Sequence, residues 1–207
     1  RFSRIPRPEE IRLSADAAYV HMTSNNTIFG TQWKYVPDTG GRPLVADTSS
    51  DMFSRPIDVS RYGLIYAGAQ KNLGPAGVTL VIVRDDLVKR SPAGLPSMLS
   101  YRVHAEHRSL YNTPPVFAIY VLRLVMKWIL DQGGLAALER VNERKAAKLY
   151  AEIDRTGFYL GHAQPDSRST MNVTFRLRDE KLESLFVEEA TREGLDGLKG
   201  HRSVGGL

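Results

Sequence analysis

An apolar segment, Leu64-Ile65-Tyr66-Ala67, runs without a break into Gly68-Ala69-Gln70-Lys71-Asn72-Leu73-Gly74-Pro75-Ala76-Gly77. A buried strand that ends in a glycine-rich turn sets Lys71 at the rim of a sheet, where solvation is poor. Burial disfavours a charged ammonium, so a lysine so placed is expected to act as a neutral amine nucleophile, ready for a Schiff base. The glycines and Pro75 behind it make a rigid turn with room for a planar ligand. The plain alternative is a solvated lysine in a strand-to-loop connection, and the surrounding sequence has to decide between the two.

A second short apolar segment, Val45-Ala46, ends in Asp47-Thr48-Ser49-Ser50, with the acid 24 residues before Lys71. An Asp at a strand end is commonly only a cap or turn residue. Pyridoxal phosphate chemistry, however, needs a lysine for covalent attachment and a carboxylate that keeps the pyridine nitrogen protonated. Asp47 and Lys71 at neighbouring strand ends supply both. Further segments join them: His21-Met22-Thr23-Ser24-Asn25-Asn26-Thr27, Ser54-Arg55-Pro56-Ile57-Asp58, Ser109-Leu110-Tyr111-Asn112-Thr113-Pro114-Pro115 and Gly200-His201-Arg202-Ser203-Val204-Gly205-Gly206. With these residues the chain resembles the fold-type I pyridoxal phosphate enzymes, and within their class V aminotransferases the phosphoserine aminotransferase family.

The resemblance implies an α/β fold: part of the large cofactor-binding domain, with a mixed, mostly parallel sheet, followed by a small α+β domain. It implies pyridoxal 5'-phosphate on Lys71, which also moves the proton during transamination, with Asp47 pairing to the ring nitrogen. Thr27 carries over to the 3-hydroxyl face of the ring and Gln70 to the cofactor phosphate. Asn112 and Thr113 carry over as residues that reach the phosphate of the partner subunit's cofactor, which implies a homodimer with shared active sites. His201 and Arg202 carry over to the anionic substrate. The implied reaction moves an amino group between glutamate and 3-phosphohydroxypyruvate, giving O-phosphoserine and 2-oxoglutarate in serine biosynthesis, with a side role in vitamin B6 formation. Another class V aminotransferase, or a catalytically inactive piece that only binds or dimerises, are the alternatives.

Each residue also has a structural reading. Thr27 sits where turn chemistry alone favours such residues. Asn112-Thr113-Pro114-Pro115 reads as a plain helix cap, although free N–H groups at a helix start suit a phosphate. His201 and Arg202 read as surface side chains. His21, His104 and His107 lack metal-ligand spacing, and no metal is expected.

Composition removes other classes. With zero cysteines there is no disulfide framework, thiolate metal site or cysteine nucleophile, which sets aside the cysteine desulfurases with their similar lysine loop. The net charge is +5, but 28 basic residues are interspersed with 23 acids and no nucleic-acid motif appears, so no nucleic-acid partner is expected. The Lys71 loop is not a phosphate-binding P-loop, because Asn72 follows the lysine where that motif needs Ser or Thr. The apolar run from Val116 to Leu130 is broken by Arg123 and Lys127 and falls short of the ~20 residues of a membrane span, so a soluble, cytoplasmic protein is expected. Family members extend beyond both ends of this sequence. The chain is therefore expected to be a piece, with the cofactor-phosphate loop and ring-stacking aromatic before Arg1 and a carboxylate-binding arginine after Leu207.

Strands are expected at residues 18–22, 44–46, 64–67 and 78–84, the last two as a hairpin that makes the sheet mixed. Residues 114–131 should form a helix capped by Thr113 and buried on several sides. Residues 135–155 should form an amphipathic helix that bridges to the smaller domain. There, residues 171–177 alternate like a strand, 179–193 read as a helix capped by Asp179, and 194–199 as a returning strand. The expected division is 1–132 for the large domain, 133–155 for the bridge and 156–207 for the small domain.

Overall fold

The computed structural model describes residues 2–201 and 205–207, so Arg202 lies outside the described residues. The elements, in chain order, are β1 (Val20–Thr23), β2 (Asn25–Asn26), β3 (Thr31–Gln32), β4 (Leu44–Asp47), β5 (Leu64–Gly68), β6 (Thr79–Val83), α1 (Asp85–Lys89), α2 (Tyr101–Glu106), α3 (Val116–Asp131), α4 (Leu135–Arg155), β7 (Tyr159–Gly161), β8 (Phe175–Leu177) and α5 (Glu183–Arg192). Contacts divide the chain into two compact units. One comprises Ile11–Ser24 and Val36–Leu138, the other Arg1–Glu10, Asn25–Tyr35 and Glu139–Leu207.

The first unit is built on a four-stranded sheet of order β1-β4-β5-β6. β1 and β5 flank β4 in parallel, and β6 returns antiparallel to β5, pairing Leu64 with Val83 and Gly68 with Thr79. The sheet is thus mixed and mostly parallel, as expected. Parallel strands are covered on both faces and need apolar residues throughout. Leu44, Ala46, Ile65 and Ala67 are accordingly buried, and Ile65 and Ala67 pack with Met52, Ala69, Leu73 and Leu122. Leu122 is the contribution of α3.

α3 departs from expectation at its start and on its outer faces. It begins at Val116, and Thr113 does not cap it. A residue before proline is pushed out of the α region, so the tandem Pro114-Pro115 holds residues 113 and 114 extended and delays the first turn. Only Ala118, Leu122 and Ile129 are buried, whereas Phe117, Tyr120 and Trp128 are exposed, so burial on several sides is corrected to burial along one stripe. Gly133 and Gly134, both at positive φ, end this segment before α4. α4 spans the predicted residues.

In the second unit β7 pairs antiparallel with β8, and Tyr159, Phe175 and Phe186 of α5 meet edge to face. α5 follows a 3-10 turn over Glu180–Leu182, in which the Asp179 side chain accepts from Lys181 N at 3.1 Å. β7 was not expected. The strand expected over 171–177 shrinks to Phe175–Leu177, because Met171 N and Asn172 N donate to Ser169 Oγ rather than to a ladder. No strand forms over 194–199, where Gly194 and Gly197 turn the chain at φ of 83° and 79°. Among the described residues no helix is long and apolar enough to cross a membrane.

Candidate active site

Asp47 closes β4, level with Thr23 of β1 and Tyr66 of β5. Its Oδ1 accepts from Ser49 N at 2.9 Å, an Asx turn that folds the chain back across the sheet edge. Residues 68–72 are then tied to this turn by three bonds. Gly68 N donates to Ser49 Oγ at 3.0 Å, Lys71 Nζ to Ser50 Oγ at 3.0 Å, and Asn72 Nδ2 to Met52 O at 2.7 Å. The carboxylate and the amine therefore stand on adjacent strand ends joined by side-chain hydrogen bonds.

Lys71 itself corrects an expectation. Its side chain is exposed, because the ladder ends at the Gly68–Thr79 pair and the apolar anchors of the turn are Ala69 and Leu73. Poor solvation is not what distinguishes it in this chain. Gln70 is also exposed, and its amide folds back over Gly68, where a Cβ would lie 2.5 Å from Oε1. Tyr66 was not singled out from sequence. Burial, and next the Asp47 carboxylate beside it, hold its phenol above the usual range, and its hydroxyl meets His21 Nε2 at 3.1 Å.

Asn112 and Thr113 lie in an exposed stretch, with Asn112 Nδ2 donating to Thr113 O at 3.3 Å. They precede the start of α3 and do not cap it, so the helix-cap reading of this pair is corrected.

The second unit carries Thr27 and His201. Thr27 lies in the loop between β2 and β3, where Asn26 Oδ1 accepts from Ile28 N and Phe29 N at 3.2 and 3.1 Å. This hairpin is clamped from below. Ser169 Oγ donates to Asn25 Oδ1 at 2.5 Å, Asn25 Nδ2 to Asn172 Oδ1 at 2.7 Å, and Ser169 N to Gly30 O at 2.8 Å. At Gly30, with φ +63°, a Cβ would lie 2.6 Å from Thr174 Oγ1 and 2.8 Å from Asn172 O, so only glycine allows that approach. Thr27 and His201 line one open groove of about 680 Å³ together with Phe29, His162 and Lys199. Arg202 lies outside the described residues.

The donor set suits pyridoxal phosphate: a carboxylate on one strand end, a primary amine in the turn that follows the next strand, and an amide folded over Gly68. Ser49, Ser50, Tyr66 and Asn72 escaped the sequence reading. The Asp-x-Ser spacing at a strand end, an Asx-turn signature, is the signal that could have found Ser49.

The chain matches the aminotransferase class-V family over residues 6–204. It is 57% identical over 207 residues to the phosphoserine aminotransferase of Lysinibacillus sphaericus, covering all of this chain and 57% of that protein. Among solved structures, the phosphoserine aminotransferase from Bacillus circulans subsp. alkalophilus superimposes with a TM-score of 0.95 at 55% identity, over 99% of this chain and 57% of that one. A pyridoxal phosphate-bound phosphoserine aminotransferase from Trichomonas vaginalis gives 0.92 at 39% identity, over 99% and 58%. The chain thus spans a little over half the length of the relatives it matches. The match over nearly all its residues, together with the carboxylate and lysine on neighbouring strand ends, makes the chain a member of the aminotransferase class-V family.

Proposed function

We propose that this chain is the part of a phosphoserine aminotransferase that carries the cofactor lysine, acting on glutamate and 3-phosphohydroxypyruvate to give O-phosphoserine and 2-oxoglutarate. The observation that supports it most is the joining of Asp47 and Lys71 on adjacent strand ends by the Ser49 and Ser50 hydroxyls. The high identity to named phosphoserine aminotransferases over the whole chain supports the substrate choice.

When bound, pyridoxal phosphate supplies a conjugated, electron-withdrawing ring that stabilises the charge left by deprotonation at the substrate α-carbon. Lys71 would hold it covalently through Nζ. Asp47 would keep the proton on its ring nitrogen, Thr27 would meet its 3-hydroxyl, and Gln70 its phosphate. When not attached to the cofactor, Lys71 Nζ would be the group that takes the proton from the substrate α-carbon and returns it as general acid. His201 and Arg202 would hold the substrate's anionic groups. Asn112 and Thr113, exposed beside the apolar outer face of α3, suit a homodimer in which they reach the partner's cofactor phosphate. A cytoplasmic setting and the division into 1–132, 133–155 and 156–207 belong to the same proposal.

Borohydride reduction of the native, cofactor-loaded protein followed by peptide mapping tests the assignment. Label is expected on Lys71, and Lys71→Ala should abolish both labelling and turnover, since arginine and the other nearby groups cannot replace a neutral amine. Label on another lysine would overturn it.

A further inference from the structure

The turn after β4 does more than present Asp47. It accepts a side-chain or backbone donor from three positions of the lysine loop: Ser49 from Gly68, Ser50 from Lys71 and Met52 from Asn72. The first and third of these fix where Ser50 stands. Met52 and Leu73, at 3% and 0% exposure, pack in one core cluster beneath them, and Asp51 N and Met52 N both donate to Thr48 O. Ser50 Oγ is thus held at a fixed point on a braced turn, within hydrogen-bond distance of the Lys71 amine. A lysine amine on four rotatable carbons loses much entropy when confined to one geometry. A rigid acceptor at 3.0 Å reduces the number of positions it samples, which is how orientation contributes to rate.

We propose that Ser50 is a positioning residue for Lys71, receiving an N–H of its Nζ whenever that nitrogen is not bonded to the cofactor. This rests on the reading of Lys71 as the cofactor lysine. The amine is uncombined at two moments: before the cofactor attaches, and while the substrate amine has displaced it. In the second, Nζ gains the proton from the α-carbon as its lone pair forms the new N–H bond, and the pair released from the C–H bond remains with the bound conjugated system. An acceptor for the resulting ammonium N–H keeps it over the atoms between which it carries the proton. Ser50 Oγ neither gains nor loses a proton in this role.

The test compares the native protein with Ser50→Ala and Ser50→Thr. The first readout is the rate of pyridoxal phosphate attachment to the cofactor-free protein, followed by absorbance. For Ser50→Ala, attachment to Lys71 should continue but slow about tenfold, the size of one hydrogen bond to a charged group. Steady-state kcat should fall by a similar factor, with KM for glutamate and the thermal midpoint unchanged. Ser50→Thr, which keeps the hydroxyl, should restore both rates. Native attachment and turnover in Ser50→Ala, or a threonine variant as slow as the alanine one, would overturn the proposal. Mapping the reduced native protein separates the two claims: a label on Lys71 with no effect of Ser50→Ala sinks only this proposal, whereas a label elsewhere sinks both.

Discussion

Asp47 is held by a backbone donor, Ser49 N, and stands beside the Tyr66 phenol. Asparagine at the same place keeps an acceptor oxygen for Ser49 N, so Asp47→Asn should fold normally, with a stability change within about 0.5 kcal/mol. What asparagine cannot do is hold a proton on a ring nitrogen. Removing one partner of a desolvated ion pair costs about 3 kcal/mol or more, equivalent to at least about a hundredfold in rate. Cofactor titration by absorbance and steady-state kinetics on the native protein and the variant check this together. Binding retained with kcat reduced that far is the expected outcome, and near-native turnover would take Asp47 out of the role. The two acceptors that the sequence concealed, Ser49 and Ser50, are ordinary residues in an ordinary turn. Their importance comes from register: β4 and β5 run parallel with Asp47 opposite Tyr66, and only that alignment sets positions 49 and 50 against 68 and 71.

Among the elements, the ones legible in advance were those whose residues reported on burial directly. Leu64–Ala67 and the β-branched run after Val78 read directly as strands, the first largely buried and the second half-buried, and their close spacing forced the antiparallel return. α4 kept its predicted bounds because its amphipathic pattern is long and a glycine pair precedes it. The second unit was read less well for a physical reason. Residues 171–177 alternate like a strand, yet the backbone N–H groups of Met171 and Asn172 are claimed by the Ser169 hydroxyl, a side-chain competitor for ladder bonds. The partner of that hydroxyl, Asn25, is 144 positions away, a separation that no local pattern encodes. Ser169 is fully buried and joins the β2–β3 hairpin, with Thr27 at its tip, to the segment before β8. Ser169→Ala strands two backbone N–H groups and the Asn25 amide oxygen, and each buried group left unmet costs about 1–3 kcal/mol. A denaturant series should show a lower midpoint and an unfolding free energy reduced by an amount of that order. An unchanged midpoint would mean that water or a rearranged Asn25 replaces the clamp.

At the scale of the molecule, pH reports on groups whose environments differ between folded and unfolded chains. Glu10 accepts from Arg4 at 2.5 and 2.7 Å and from Arg7 N at 2.7 Å, and the Arg4 hydrogen bonds first, then the Arg7 N–H, hold its carboxyl down at about 2. Asp154 is lowered in the same sense by the two Arg168 hydrogen bonds at 2.6 Å. A carboxylate with a depressed folded value contributes stability above its unfolded value, and that contribution is lost as pH falls toward the folded one. Glu10 therefore predicts a loss of stability on acidification from about pH 4.5 to about pH 2, and Asp154 adds a loss of the same sign as its own carboxylate is protonated. Tyr150 predicts a second limb. Burial pushes its phenol up to about 12, against the opposing pull of the Arg168 guanidinium stacked 4.4 Å above its ring. An acid kept neutral by folding resists ionisation that the unfolded chain undergoes near pH 10, so stability should also fall between about pH 10 and about pH 12. Thermal midpoints measured across both windows provide the check, with Glu10→Gln and Tyr150→Phe as controls. The acid limb should flatten in the first variant and the alkaline limb in the second, because neither replacement titrates. An acid limb unchanged in Glu10→Gln would place that loss on other carboxylates, and an alkaline limb unchanged in Tyr150→Phe would remove Tyr150 from the balance.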